Sequence, residues 1–172
     1  MTSLGLAAAL GLAMAGAAAP ASAQSEAPQN QTTEDRRIED WVLRCLPATE
    51  SQPQACRMWQ SAVASEGGQR LLQVAVGRFG PEHLLGAVIS VPIGVRLPPG
   101  IDLRVDDRKP WNFPYERCSP SSCQVRALLH EELLQSLKAG LVGRVTFRDA
   151  AGQPITVAFS LKGFTAALRE LP

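Results

Sequence analysis

The sequence has no surplus of charge, few aromatic residues, and none of the short motifs that announce a reaction. Seventeen Lys and Arg face sixteen Asp and Glu, for a net charge of +1, and neither sign forms a long block. That removes the broad electrostatic attraction on which nucleic-acid binding depends, so no nucleic-acid partner is expected. Aromatics make up 5% and charged residues 19% of the 172 positions. Collagen-like, coiled-coil and acidic disordered classes are excluded by that composition. No G-x-S-x-G elbow raises a serine nucleophile. The cysteines form no C-x-x-C redox pair, and neither His83 nor His130 belongs to an H-x3-5-H set that would complete a zinc site. Gly67-Gly68 lacks the Lys-Ser/Thr that follows a phosphate cradle and opens no helix. The calcium-loop pattern is missing as well. The sequence therefore assigns no catalytic residue, cofactor or metal.

What is present is a 45% hydrophobic chain, enough for one core in a domain of roughly 150 residues. Residues Leu4 to Ala19 are an uncharged apolar stretch rich in alanine, followed by Pro20 and Ala21-Ser22-Ala23. Too short and too weakly apolar to span a bilayer, and ending in an A-x-A site, residues 1–23 read as a signal peptide cleaved after Ala23. No membrane span is expected after cleavage, which places the chain in the periplasm or outside a bacterial cell. Residues 24–37 begin QSEAPQNQTTE and hold almost no large apolar group, so they read as a flexible linker. The folded domain is expected over 38–172.

Export exposes the four cysteines to an oxidising space, where an even number reads as a disulfide framework. Of three possible pairings, two local bridges are favoured. Cys45 to Cys56 would close the polar, proline-containing loop between two strands, and Cys118 to Cys123 would close the turn-forming Ser-Pro-Ser-Ser.

Short alternating or β-branched runs separated by Gly and Pro predict a mainly β, sandwich-type fold. Such runs include 41–45, 56–60, 71–76, 84–91, 124–129, 144–148 and 155–161. Ile101, Leu103 and Val105 alternate with Asp102, Arg104 and Asp106, one face dry and one wet. Pro92, Gly94, Pro98, Pro99 and Gly100 read as a tight corner between two sheets. Two helices are expected. Leu129, Leu133, Leu134 and Leu137 form a stripe, with Glu131 and Glu132 early, Lys138 late and Gly140 as the stop. Phe164 and Leu168 mark a short closing helix.

Among polar candidates, His83 reads as an exposed turn residue and His130 as a helix start. Asp106-Asp107 read as a solvated turn with Arg108-Lys109 as local partners. The aromatic cluster Trp111, Phe113 and Tyr115, beside Arg108, Lys109 and Arg117, suits a partner hot spot if exposed. Otherwise Trp111 and Phe113 fill the sandwich. Tyr115 with Arg117 is the expected exposed contact, and Trp111, Tyr115 and Arg117 are the candidate partner-binding residues. A sheet edge that adds a strand from a partner is the competing mode.

Taken in order, Trp41-x3-Cys45, Cys56-Arg57-Met58, the run Val91-Pro92-Ile93-Gly94-Val95-Arg96-Leu97-Pro98-Pro99-Gly100-Ile101, Cys118-x4-Cys123, Lys138-Ala139-Gly140 and Gly163-Phe164-Thr165-Ala166-Ala167-Leu168 resemble the invasion associated locus B family of bacterial exported proteins. The likeness runs over most of the chain behind the leader. Ser122 stands where the family leads one to expect Gly, and Tyr115 where it leads one to expect Phe. The resemblance implies an immunoglobulin-like β-sandwich, export to the periplasm or beyond and, in some pathogens, a part in entering host cells. It carries over no catalytic residue. The expectation is a non-enzymatic interaction protein whose partner is a protein of the envelope or of a host surface. Two alternatives stand: an extracytoplasmic hydrolase or redox enzyme with a site no motif reveals, and a small-ligand or lipid-binding module using the space between the sheets.

Overall fold

Tight turns and strict alternation lay down most of the fold. The computed structural model describes residues 34–51 and 53–172, all within one unit, Thr32–Pro172. The expected leader and the first part of the expected linker lie outside the described residues. The elements in chain order are β1 (Arg36–Ile38), β2 (Trp41–Leu46), β3 (Ala55–Val63), β4 (Arg70–Phe79), β5 (Leu84–Val91), β6 (Ile101–Val105), β7 (Trp111–Phe113), β8 (Arg117–Cys118), β9 (Cys123–Leu128), α1 (Glu131–Ala139), β10 (Val142–Arg148), β11 (Pro154–Ser160) and α2 (Phe164–Leu168).

They form two antiparallel sheets, a large one in the order β1-β2-β3-β4-β5-β9-β8 and a small one in the order β11-β10-β6-β7. Five successive strands meander through the large sheet before the chain crosses to the small one, whereas an immunoglobulin domain changes sheets after two. The crossing is the Pro- and Gly-rich corner, as expected. There Gly100 has φ +69, and a Cβ on it would stand 2.4 Å from the Phe113 carbonyl oxygen, so only glycine fits.

The core lies between the sheets. Met58, Leu72, Val76 and Ile89 of the large sheet face Ile101, Leu103, Val105, Val145 and Phe147 of the small one, all nearly without solvent contact. Trp41 is fully buried, its ring 5.4 Å from Phe164 and 6.4 Å from Phe159 in edge-on contacts. The space between the sheets is thus filled by side chains, which leaves the alternative of an inter-sheet ligand module without support from the core packing. At one margin Gln60 ties the sheets together. Its Oε1 accepts from Ser160 N at 2.7 Å, while its Nε2 donates to Ser160 O at 3.3 Å and to Asp40 O at 2.8 Å.

Both helices stand where the sequence puts them. His130 caps α1, its Nδ1 accepting from Leu133 N at 3.3 Å, and the Gly140 N–H closes the helix on Ser136 O. Leu129, Leu133 and Leu137 are buried. Two expectations need correction. Arg36 and Arg37, assigned to the linker, pair with Leu43 and Val42 as β1, because an edge strand needs only one neighbour. Asp106 does not face Arg108 and Lys109. With φ +47, its carboxylate accepts from Leu141 N at 3.2 Å and Val142 N at 3.0 Å, fixing the loop from α1 into β10.

Candidate functional site

In a strand, what the core does not take is turned to the opposite face. With Met58 in the core, Trp59 is presented on the outer face of the large sheet, and pairing sets its neighbours. Arg44 lies opposite Arg57, Arg57 opposite Gly77, and Gly77 opposite Gly86. The next row reads Val42, Trp59, Ala75, Val88 and Arg126. The third runs through Ser61, Gln73, Ser90 and Gln124 to Arg117. The middle of the face is therefore small or apolar and its two margins are basic. The hollow between them has a volume of about 370 Å³, with a further 240 Å³ around Trp59 and Arg57.

Two rings sit on this face outside the core. The Arg44 and Arg57 guanidinium carbons lie 5.1 and 5.8 Å from the Trp59 ring centre, and Arg126 lies 5.4 Å from that of Phe79. Phe79 covers Gly86, its Cδ2 3.1 Å from where a Cβ would stand. Two of the four arginines are neutralised. Arg44 donates to both Asp35 oxygens at 2.6 and 2.8 Å, and that hydrogen bond holds the Asp35 carboxyl below its usual pKa. Arg126 donates to both Glu116 oxygens at 3.0 and 3.2 Å. Arg117 donates only its Nε, to Gln124 Oε1 at 2.9 Å. Among the described residues neither Arg57 nor Arg117 forms an ion pair, although the Arg57 charge also helps to hold the Asp35 carboxyl down.

The disulfides anchor both margins. Cys45–Cys56 joins directly opposed residues of β2 and β3, and Cys118–Cys123 does the same for β8 and β9. Both favoured bridges are present, and no described cysteine is free. Arg44, Arg57 and Arg117 are each the chain neighbour of a bridged cysteine. Cys45 and Cys56 pack against the core, so alternation turns Arg44 and Arg57 outward, and Arg117 shares the outer face through its pairing with Gln124, the neighbour of buried Cys123.

Of the residues singled out from sequence, Arg117 is exposed and belongs to this face. Trp111 is half-buried in β7, opposite Leu103, and borders a separate cleft of about 570 Å³ with Arg108, Lys109, Glu132 and Gln135. Tyr115 is not the exposed contact expected. It packs half-buried against the core, and its hydroxyl is shielded with no hydrogen-bond partner. Burial pushes its pKa up to about 12. Trp59 and Phe79 were not anticipated as site residues. The signal that marks them is the alternation through Met58 and Val76, which sends Trp59 and Phe79 outward once those two are assigned to the core.

No group of three or more His, Cys, Asp or Glu that could hold a metal ion occurs among the described residues, and no helix there is long and apolar enough to cross a membrane. The model of the invasion associated locus B (IalB) protein family matches residues 41–172. The chain belongs to that family. Similar IalB relatives include invasion protein B homologs from Brucella abortus strain 2308 and from biovar 1 strain 9-941. Each is 28% identical over 145 residues, covering 84% of this chain and 82% of the relative. Among solved structures, the fold is similar to that of invasion associated protein b from Bartonella henselae. The TM-score is 0.70 at 20% identity, covering 80% of this chain and 93% of the other. At that identity the likeness concerns the fold of the IalB sandwich.

Proposed function

We propose that the protein is an exported, non-enzymatic binding protein of the IalB family. It acts in the periplasm or outside the cell after losing its leader behind Ala23, and it engages a protein of the envelope or of a host surface through the outer face of its large sheet. One observation carries this reading: Trp59 and Phe79, two large rings, lie outside the core on a face margined by four arginines. Trp and Arg are the residue types most enriched where partners bind tightly. The naming of its relatives as invasion proteins supports a role in contact with host or envelope.

A photoreactive side chain in place of Gln73, on that face, tests it in living cells, with the same group at Thr156 on the outer face of the small sheet as control. Discrete covalent protein adducts are expected from position 73 and none from 156. No adduct at 73, or the same adducts at both positions, overturns the reading. Mass spectrometry of the native protein tests export: a chain beginning at Gln24 with four cysteines resistant to alkylation is expected, and an intact leader with free thiols defeats it.

A further inference from the structure

The hollow on the large sheet also indicates the chemistry of its occupant, an inference that rests on the reading just given. The two arginines that form no ion pair stand on opposite margins. From Arg57 on β3 to Arg117 on β8 the path crosses β4, β5 and β9, four interstrand steps or about 19 Å. The pairing also displaces them along the strands by four residues, from the level of Gly77 to that of Gln73, about 13 Å. Together this is roughly 20–25 Å between the two backbone positions, with both side chains lining the one hollow that separates them. An extended polypeptide covers it in about seven residues. Between the two charges the floor is Gly77, Ala75, Val88 and Ser90, small enough for a second backbone to lie close, with the amides of Gln73 and Gln124 beside them able to pair with it. The margins stand above the floor, so a flat bilayer would meet the arginines without filling the hollow.

We propose that this surface binds an extended acidic segment of a partner polypeptide. One carboxylate engages Arg57 beside Trp59, a second engages the Arg117 guanidinium at the far margin, and small or apolar side chains lie between. Arg117 is held for this by its Nε bond to Gln124, and a planar guanidinium receives a carboxylate through two parallel hydrogen bonds. Arg44 and Arg126, already carrying Asp35 and Glu116, act as walls.

The test uses the disulfide-bonded chain and a labelled synthetic peptide of about ten residues, with glutamates near both ends and Ala and Val between, followed by fluorescence anisotropy. Binding is expected to weaken with salt and to fall about tenfold in each of Arg57→Gln and Arg117→Gln. Arg104→Gln, on the outer face of the small sheet, is expected to change it less than about twofold. Both site arginines are exposed, so unchanged melting temperatures verify folding. A peptide with lysines in place of glutamates should not bind. Binding that ignores both substitutions, or equal binding of the lysine peptide, overturns the proposal. Phosphatidylglycerol vesicles or heparin bound more tightly than the peptide, with the same arginine dependence, also overturn it and make the surface a lipid or glycan site. If adducts form from position 73 while no acidic peptide binds, the acidic occupant alone is lost. If neither occurs, the face itself is wrong.

Discussion

Tyr115 is the one tyrosine in the chain, so ultraviolet absorbance follows its ionisation without interference from another tyrosine. In the folded protein its titration should centre near 12, against 10.0 for an ordinary tyrosine, because burial disfavours the phenolate. The sign follows from linkage. Above pH 10 the unfolded chain releases the proton while the folded one keeps it, so this group's contribution to stability is intact below pH 10 and is lost as pH rises towards 12. Tyr115→Phe removes that dependence and a shielded hydroxyl without a partner. Denaturant unfolding near neutral pH should show no loss and a gain of up to about 1 kcal/mol. Trp41, the neighbour of Val42, and Trp59, opposite Val42 on β3, divide more sharply. Trp41→Ala opens the core beside Phe164 and should cost about 3–5 kcal/mol. Trp59→Ala, off the core, should cost less than about 1 kcal/mol while weakening partner binding. That Arg117 is exposed was legible from its place beside a turn-forming cysteine pair. The place of Trp59 was not, because choosing the face on which a strand residue sits requires knowing which neighbour the core keeps.

Among the elements, β10 shows how closely strand and core are matched. Gly143 faces Phe159 across β10 and β11, and a Cβ on Gly143 would stand 2.1 Å from the Phe159 Cζ. Gly143→Ala must displace a core ring and should lower stability by about 1–3 kcal/mol in thermal or denaturant unfolding. Gly94→Ala, with φ +83 but open space around it, should cost only the backbone term of about 1–2 kcal/mol. The strands that carry long alternation, such as β4 and β6, and the capped helix α1 could be read from the chain, because their periods and turns are local properties. The three-residue β1 and β7 and the two-residue β8 could not. Each is a strand only through pairing with β2, β6 or β9, so the linker was drawn two residues too long, and Tyr115, just past β7, was taken as exposed although it packs against the core. Asp106 was misplaced for the same reason, since its partners lie 35 and 36 positions away on the chain.

At the scale of the whole molecule, one amide and two covalent bridges fasten what the core alone would hold loosely. Gln60→Leu deletes all three hydrogen bonds to Ser160 and Asp40 and leaves backbone groups at the sandwich margin without partners. The expected cost is about 1–3 kcal/mol, read from the denaturation midpoint. Removing Cys45–Cys56 should cost about 3 kcal/mol and removing Cys118–Cys123 about 2 kcal/mol in the chain-entropy description. Those bridges also adjoin three of the four arginines on the outer face, and this gives sulfur chemistry a second consequence. On the proposal above, a chain whose thiols are apart would hold Arg57 and Arg117, the two charges offered to an acidic segment, by strand pairing alone. Such a chain is expected to capture the acidic peptide poorly, so that oxidation would gate recognition alongside the ligand. Mild reductant should weaken peptide capture, reoxidation should restore it, and capture by the fully reduced chain at undiminished strength would show that the fold keeps no such safeguard.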